Sequence, residues 1–316
     1  MQLGADHVIV RVPATSGNVG SGFDALGLAI GVYDEVEVRL VANDEVTVEV
    51  HGEGAGELPS GDTHLVARAL HQTLEIVGAP LTGLHLTCTN AIPHGRGLGS
   101  SASAAVAGIV AARALLADPH CLDSRSVLAI ATDFEGHPDN AAPAIWGGAT
   151  IAWQEDSGPC AVGLEVDPAI TATVLIPQAR FATTRARALL PAQVPHADAA
   201  FNVGRSALLV EALARRPELL LAATADRLHQ DYRSVAMASS HELMEAIRAA
   251  GFAAMISGAG PTVLVLTPRE SLPALDRVLI DLVDGLHPDQ SGDAVHWRAL
   301  RPEIDQHGAQ AHRIGS

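Results

Sequence analysis

Apolar and polar residues alternate along several short stretches of this chain. Val8 to Val12, Glu35 to Leu40, Val46 to Val50 and Leu84 to Thr89 place apolar side chains at every second position, the period of a strand with one buried face. His64 to Val77, Ser101 to Leu116 and Ser124 to Phe134 carry them at helical spacing instead. The second half predicts strands at Ala149 to Trp153 and Ala172 to Ile176, helices near Phe201 to Arg215 and Ser239 to Ala250, strands at Ala253 to Ser257 and Thr262 to Leu266, then a last helix and strand. Steady strand and helix alternation is lacking, so the pattern predicts an α+β chain with helices packed on largely antiparallel sheets. Gln154 to Pro168, rich in Gly, Pro and acids, is the weakest-patterned interior stretch. It is expected to mark a junction between domains over 1–155 and 156–301, with polar residues 302–316 as a flexible tail.

With 316 residues and 48% hydrophobic content, the chain can bury a large core. Its longest apolar runs, such as Ala104 to Ala112, are far shorter than a bilayer span, and Met1 to Arg11 do not read as a secretion signal, so no membrane partner and a cytoplasmic location are expected. A homodimer stays open. Cys88, Cys121 and Cys160 are too scattered for a metal knuckle and are expected to be buried thiols. A formal net charge of −16 argues against nucleic acid as a partner. Lysine is absent, and all 20 basic residues are arginines. That excludes a Walker lysine, a Schiff-base lysine and a lysine base, so any phosphate site must rest on other donors.

Such donors are predicted where strand Leu84 to Thr89 runs into Pro93-His94-Gly95-Arg96-Gly97-Leu98-Gly99-Ser100-Ser101-Ala102-Ser103 and then a helix. Glycines let a backbone turn its N–H groups onto an anion, and a helix start adds unpaired donors and a positive dipole end. Ser100 and Ser101 could cap that helix, bind phosphate oxygen or ligate Mg²⁺. Glycine spacing alone fits a capped turn equally well.

The run Pro93 to Ala102 resembles the PxxxGLGSSA loop of the GHMP kinase superfamily. Pro13-Ala14-Thr15-Ser16-Gly17-Asn18-Val19-Gly20-Ser21-Gly22-Phe23-Asp24 and Ser257-Gly258-Ala259-Gly260-Pro261-Thr262 match two more of its motifs, in order and across nearly the whole chain. The resemblance implies an N-terminal domain like the second domain of ribosomal protein S5, a ferredoxin-like C-terminal domain, and ATP and a small substrate between them. Glu135-Gly136-His137-Pro138-Asp139-Asn140-Ala141-Ala142-Pro143 is similar to the EGHPDNxAP signature of the homoserine kinase branch, which implies L-homoserine as the second substrate. Thr183 to Arg187, Phe201-Asn202 and Leu228 to Arg233 match further segments of that branch.

A free amino acid calls for arginine forks on its carboxylate and an acid on its ammonium. Arg187, Arg233 and Asp24 fit those roles, and by resemblance Asn18, His137 and Asn140 complete the pocket, with Asn140 beside the reacting hydroxyl. Asp139 is the alternative catalytic candidate, as a base. Singly, each has a plain structural reading: a cap for Asp24, surface positions for the arginines, turns for the asparagines, a hydrogen-bonded core position for His137. Some family members carry a metal-binding glutamate eleven residues before the asparagine, where this chain has Ala129. Glu135 is the substitute, with Ser101, for Mg²⁺. Another GHMP kinase or a non-catalytic ligand sensor of the same fold are the competing readings.

Overall fold

The computed structural model describes residues 1–283 and 296–315. In chain order its strands are β1 (His7–Ser16), β2 (Leu26–Val41), β3 (Val46–Gly52), β4 (Gly83–Asn90), β5 (Ala149–Glu155), β6 (Gly158–Leu164), β7 (Ile170–Pro177), β8 (Ala253–Ile256), β9 (Val263–Pro268), β10 (Trp297–Leu300) and β11 (Gln310–Arg313). The α-helices are α1 (Leu65–Ile76), α2 (Ser100–Leu115), α3 (Ser124–Glu135), α4 (Ala141–Trp146), α5 (Thr183–Ala188), α6 (His196–Ala214), α7 (Leu220–Ala223), α8 (Gln230–Arg233), α9 (Ala238–Ala249) and α10 (Leu272–Val283). The alternating stretches are strands and the helical spacings are helices, so the α+β reading holds.

Seven strands form the first sheet in the order β11-β1-β2-β4-β3, with β5 added to the start of β2 and β6 to β5; the second is β10-β7-β9-β8. All pairs are antiparallel except β3 with β4, which α1 separates in sequence. Helix α2 is buried on nearly every side because its residues are small and apolar all round, which suits a helix enclosed between a sheet and other helices. It packs on β1, α1 and α3. Strand β1 buries alternate residues up to Val12, then every residue from Val12 to Ser16. The register shifts at Pro13/Ala14, where the ring removes a donor, and the bulge turns the strand's end into the space between the sheets. One core cluster accordingly joins Ala14, Leu28 and Ile30 of the first sheet to Ala172, Val174 and Leu264 of the second.

Three expectations change. The Gly- and acid-rich stretch is a hairpin: β6 pairs with β5 from Gly158 to Leu164, so the first sheet runs past residue 155. Cys88 is buried, and burial pushes its thiol up to about 12, but Cys121 and Cys160 are only partly covered. Residues 302–315 are no loose tail. β11 pairs with β1 in register Val8 with Arg313, and Arg313 donates to the carbonyls of Ala114 and Leu116 at the end of α2. Asp305 accepts from the Tyr33 hydroxyl at 2.9 Å and from the amides of His307 and Gly308. An edge strand held by main-chain bonds needs no apolar pattern, so its polarity carried no warning.

Ending the chain at Gly308 should lower the melting temperature by about 5 °C, since several main-chain hydrogen bonds at roughly 1 kcal/mol each are lost. Circular dichroism melts of the two chains test this, and coincident curves would show that β11 adds nothing.

Candidate active site

The loop between β4 and α2 is held by its carbonyls. Those of Gly95, Arg96 and Leu98 accept from the amides of Phe181 (2.7 Å), Thr262 (3.3 Å) and Thr15 (3.0 Å), and that of Gly97 accepts from the Ser257 hydroxyl (2.7 Å). With the oxygens drawn outward, the amides are left over. Among the described residues none of the N–H groups from His94 to Ala102 has a protein acceptor, and no side chain caps α2. Gly97 (φ 76°) and Gly99 (φ 67°) make the path available, and both are closely covered: a Cβ on Gly99 would meet the Thr15 hydroxyl oxygen at 1.9 Å, and one on Gly97 the Ser257 carbonyl at 2.2 Å. The Arg96 side chain is not turned to this nest. Its guanidinium donates to the carbonyls of Pro177, His94 and Gln178, latching the loop to the end of β7.

Two cavities meet at Ser100 and Ser101. The first is polar and lies between the domains, lined by Asn18, the loop glycines, Glu135, His137, Asn140, Arg187, Arg233 and Gly258. The structure thus brings together most of the residues that the motifs singled out, from six separate parts of the chain. The second is mainly apolar and is lined by Val36, Leu58, Pro59, Leu65 and Ala104, with Asp34, His64, Asn90 and His94 at its polar points. Nothing in the motifs pointed to Asp34, His64, Asn90 or Leu58. Asn90 ends β4 just before the glycine loop, and the other three flank the loop only in space.

Asn140 stands before α4 with its Oδ1 accepting from the Thr15 hydroxyl and the Gly17 amide, both at 3.0 Å. A main-chain N–H can only donate, so the amide orientation is determined and the NH₂ group is the part left for a ligand. Asp139 is fully buried and does not line the cavity. One of its oxygens accepts from the His137 ring and the other from the Asn18 amide at 3.2 Å. Burial opposes charge on His137, but the hydrogen bond and the charge of Asp139 outweigh it and raise the ring above its ordinary value.

Asn18 (φ 53°) and Asp24 (φ 52°) both adopt the left-handed conformation, which is costly for residues with a Cβ. The Asn18 amide offsets that cost: its Oδ1 accepts from the Asp24 amide at 2.8 Å and its Nδ2 donates to the Gly258 carbonyl at 3.1 Å. Asn18 therefore ties the first turn to the Ser257 to Thr262 turn, with one N–H of its amide left over. Asp24 is partly exposed beside the cavity and holds Arg187 through two hydrogen bonds, of 2.7 and 3.2 Å. Ser101 donates to Glu135 at 2.5 Å, and burial first of all pushes the Glu135 carboxyl up. Among the described residues no group of three or more His, Cys, Asp or Glu gathers as a metal cage.

Comparison with known proteins decides the family. The model described as GHMP kinases N terminal domain matches residues 64–148, and that described as GHMP kinases C terminal matches 208–278. A homoserine kinase of Clavibacter michiganensis subsp. michiganensis is 52% identical over 274 residues, 86% of this chain and 87% of its own. One of Leifsonia xyli subsp. xyli is 48% identical over 316 residues, 99% of this chain and 94% of its own. The chain belongs to the homoserine kinases of the GHMP kinase family. The crystal structure of homoserine kinase from Cytophaga hutchinsonii superposes on this GHMP fold with a TM-score of 0.84 at 28% identity, over 99% of both chains. The expected two-part GHMP architecture is therefore present, and the free amides sit at the family's glycine loop.

Asp34 sets the approach to that loop. Its Oδ1 accepts from the amides of Ala91 (2.8 Å) and Ile92 (2.9 Å), and burial, only partly offset by these bonds, raises its carboxyl to about 6. A folded-state value above the unfolded one favours folding below about pH 4 and loses that contribution as pH rises through 6. Asp34→Asn retains the acceptor without the charge. Its stability relative to the parent should therefore rise between pH 4 and pH 7, by up to about 3 kcal/mol. Asp34→Ala, which strands two buried amides, should be destabilised at both pH values. Urea titrations at the two pH values measure this, and a pH-independent difference for Asp34→Asn would show that the carboxyl is not perturbed.

Proposed function

We propose that this protein transfers the γ-phosphoryl group of ATP to the side-chain hydroxyl of L-homoserine, giving O-phospho-L-homoserine and ADP. The observation that carries the reading is the row of unpartnered amides from His94 to Ala102, which offers a triphosphate the donors that a lysine-free chain must find in its backbone. The apolar cavity beside Ser100 and Ser101 suits the nucleoside. Burial lowers the pKa of both His64 and His94, which favours neutral rings, and each keeps one buried nitrogen without a partner among the described residues for the edge of a base.

The polar cavity suits the amino acid. A zwitterion complements the Asp24 and Arg187 pair, with its carboxylate directed to Arg187 and Arg233 and its ammonium to Asp24. Ser101 and Glu135 would hold Mg²⁺: a hydroxyl and a single carboxylate are hard oxygen donors, and this ion is commonly bound by one or two carboxylates together with substrate phosphates. When bound it supplies positive charge to the β- and γ-phosphate oxygens. A cation there would also favour the charged form of Glu135, which burial disfavours.

In the transfer the homoserine oxygen forms a bond to the γ-phosphorus as the bond from phosphorus to the β,γ-bridging oxygen breaks, and the hydroxyl proton leaves. The Asn140 NH₂ group orients the acceptor or the transferring group; it cannot take the proton. Asp139 has both oxygens engaged and serves to hold His137 and the Asn18 turn. The loose transition state of phosphoryl transfer keeps the hydroxyl proton in place until late, so alignment and charge supply the rate and the proton passes to a phosphoryl oxygen or to water. The product would feed threonine biosynthesis, and the cytoplasm is the location proposed for the reaction.

An assay coupled to ADP release should show selective turnover of L-homoserine over L-serine, L-threonine, mevalonate and galactose. MgATP binding without turnover of any of them would favour the ligand-sensor reading. Arg187→Ala should raise the homoserine KM by about tenfold or more, the worth of a charge-assisted hydrogen bond, and leave the ATP KM within about twofold. An unchanged homoserine KM would remove Arg187 from the substrate site. Glu135→Gln should raise the Mg²⁺ concentration for half-maximal rate by about tenfold, read from a metal titration at saturating ATP, because a neutral amide is a poor ligand for a hard cation. An unaltered titration would place the carboxylate ligand elsewhere.

A further inference from the structure

Arg233 is the most enclosed cation of the cleft, 1% exposed, yet it lines the polar cavity. A guanidinium taken out of water must spend its N–H groups on acceptors, and the direction of those it has left depends on how the others are held. One terminal nitrogen, Nη1, faces the Gly258 carbonyl at 3.3 Å and Nδ1 of His229 at 3.2 Å. Its Nε is buried and has no partner among the described residues.

His229, one turn before Arg233, is itself wholly buried. Its Nε2 lies 2.8 Å from the Gly20 carbonyl, which can only accept, so Nε2 carries the hydrogen. Burial, with the Arg233 charge adding and Asp226 opposing, keeps the ring neutral. Nδ1 is then a bare lone pair, and the contact with Arg233 runs from guanidinium to imidazole. Phe23 reinforces the arrangement. Its ring stacks on His229, with centroids 5.2 Å apart and planes 22° apart, and the Arg233 guanidinium carbon lies 5.5 Å from the same ring's centroid. Asp226 anchors the base of the turn by accepting from the amides of Leu228, His229 and Gln230. The chain thus runs from a carbonyl of the first domain, through one imidazole, to an arginine of the second.

We infer that His229 is a positioning residue for recognition of the substrate carboxylate: anchored by Nε2 on Gly20, it presents Nδ1 to Arg233 and aims the remaining guanidinium donors into the cavity. The inference rests on the homoserine reading above, because it needs Arg233 to meet a carboxylate. It also explains why so enclosed an arginine sits beside a histidine, an arrangement that a protonated ring would turn into repulsion.

Two amides separate the nitrogens. His229→Gln places a donor where Nε2 was and removes the acceptor at Nδ1, whereas His229→Asn places its amide oxygen near Nδ1. With His229→Gln the homoserine KM should rise by about tenfold while the ATP KM stays within about twofold, and His229→Asn should recover most of the loss. The inhibition constant of 3-amino-1-propanol, the same amino alcohol without the carboxylate, should be equal in parent and both variants. A purely structural role would change stability, or the binding of both compounds alike. A folded His229→Gln protein with parental homoserine KM, or with equally weakened binding of 3-amino-1-propanol, would overturn the inference. Should His229→Gln fail to fold, Phe23→Leu decides: a homoserine KM raised several-fold with the carboxylate-free compound unaffected supports the strut, and no selective change rejects it. Failure of the parent enzyme to turn over homoserine would sink the functional reading instead and is seen before any variant is made.

Discussion

The constraint on which the site depends is the direction of a short run of peptide groups. From Gly95 to Leu98 the carbonyls are committed to partners outside the loop, and the amides from His94 to Ala102 have none among the described residues. A peptide unit whose oxygen is held on one side must present its N–H on the other, so the outward bonds themselves create the inward donors. Without lysine, this is how a strongly acidic chain can gather positive potential at one point while its surface stays negative.

Those outward bonds also join the two halves of the molecule. Phe181, Ser257 and Thr262 belong to the second half and hold the loop of the first, and the Arg96 guanidinium adds a latch onto β7. Asn18 binds Gly258 from the other side, while the shared core of β2, β7 and β9 fixes the spacing beneath. The cleft is therefore rigid on its floor, and its residues are preorganised by main-chain partners more than by one another.

Charge in the cleft is arranged in pairs. Asp24 is with Arg187, Asp139 with His137, and Glu135 with Ser101. Each of these acids has a neighbouring side chain as its partner. Asp139, a candidate base in sequence, has both oxygens engaged in place, while Asn140 and Arg233 keep donors free among the described residues.

The secondary structure and the motifs were legible in the chain because both are local. Period-two and helical spacings record which face of each element is buried, and strand, glycine loop and helix follow one another in sequence around Gly97 to Ala102. The roles of single residues were not local. That Asp139 is buried against the Asn18 turn, that Arg96 points away from the loop it belongs to, and that Asp34, His64 and Asn90 line the second cavity depend on contacts between distant segments, which no spacing encodes. The end of the chain was misread for the same reason: β11 is stabilised by the open edge of β1 and by Asp305, whose partners lie elsewhere. Sequence alone determined the elements, the family and the kind of chemistry; the fold decided which hydrogen-bonding atoms remain free to perform it, since an atom's availability is set by its neighbours in space.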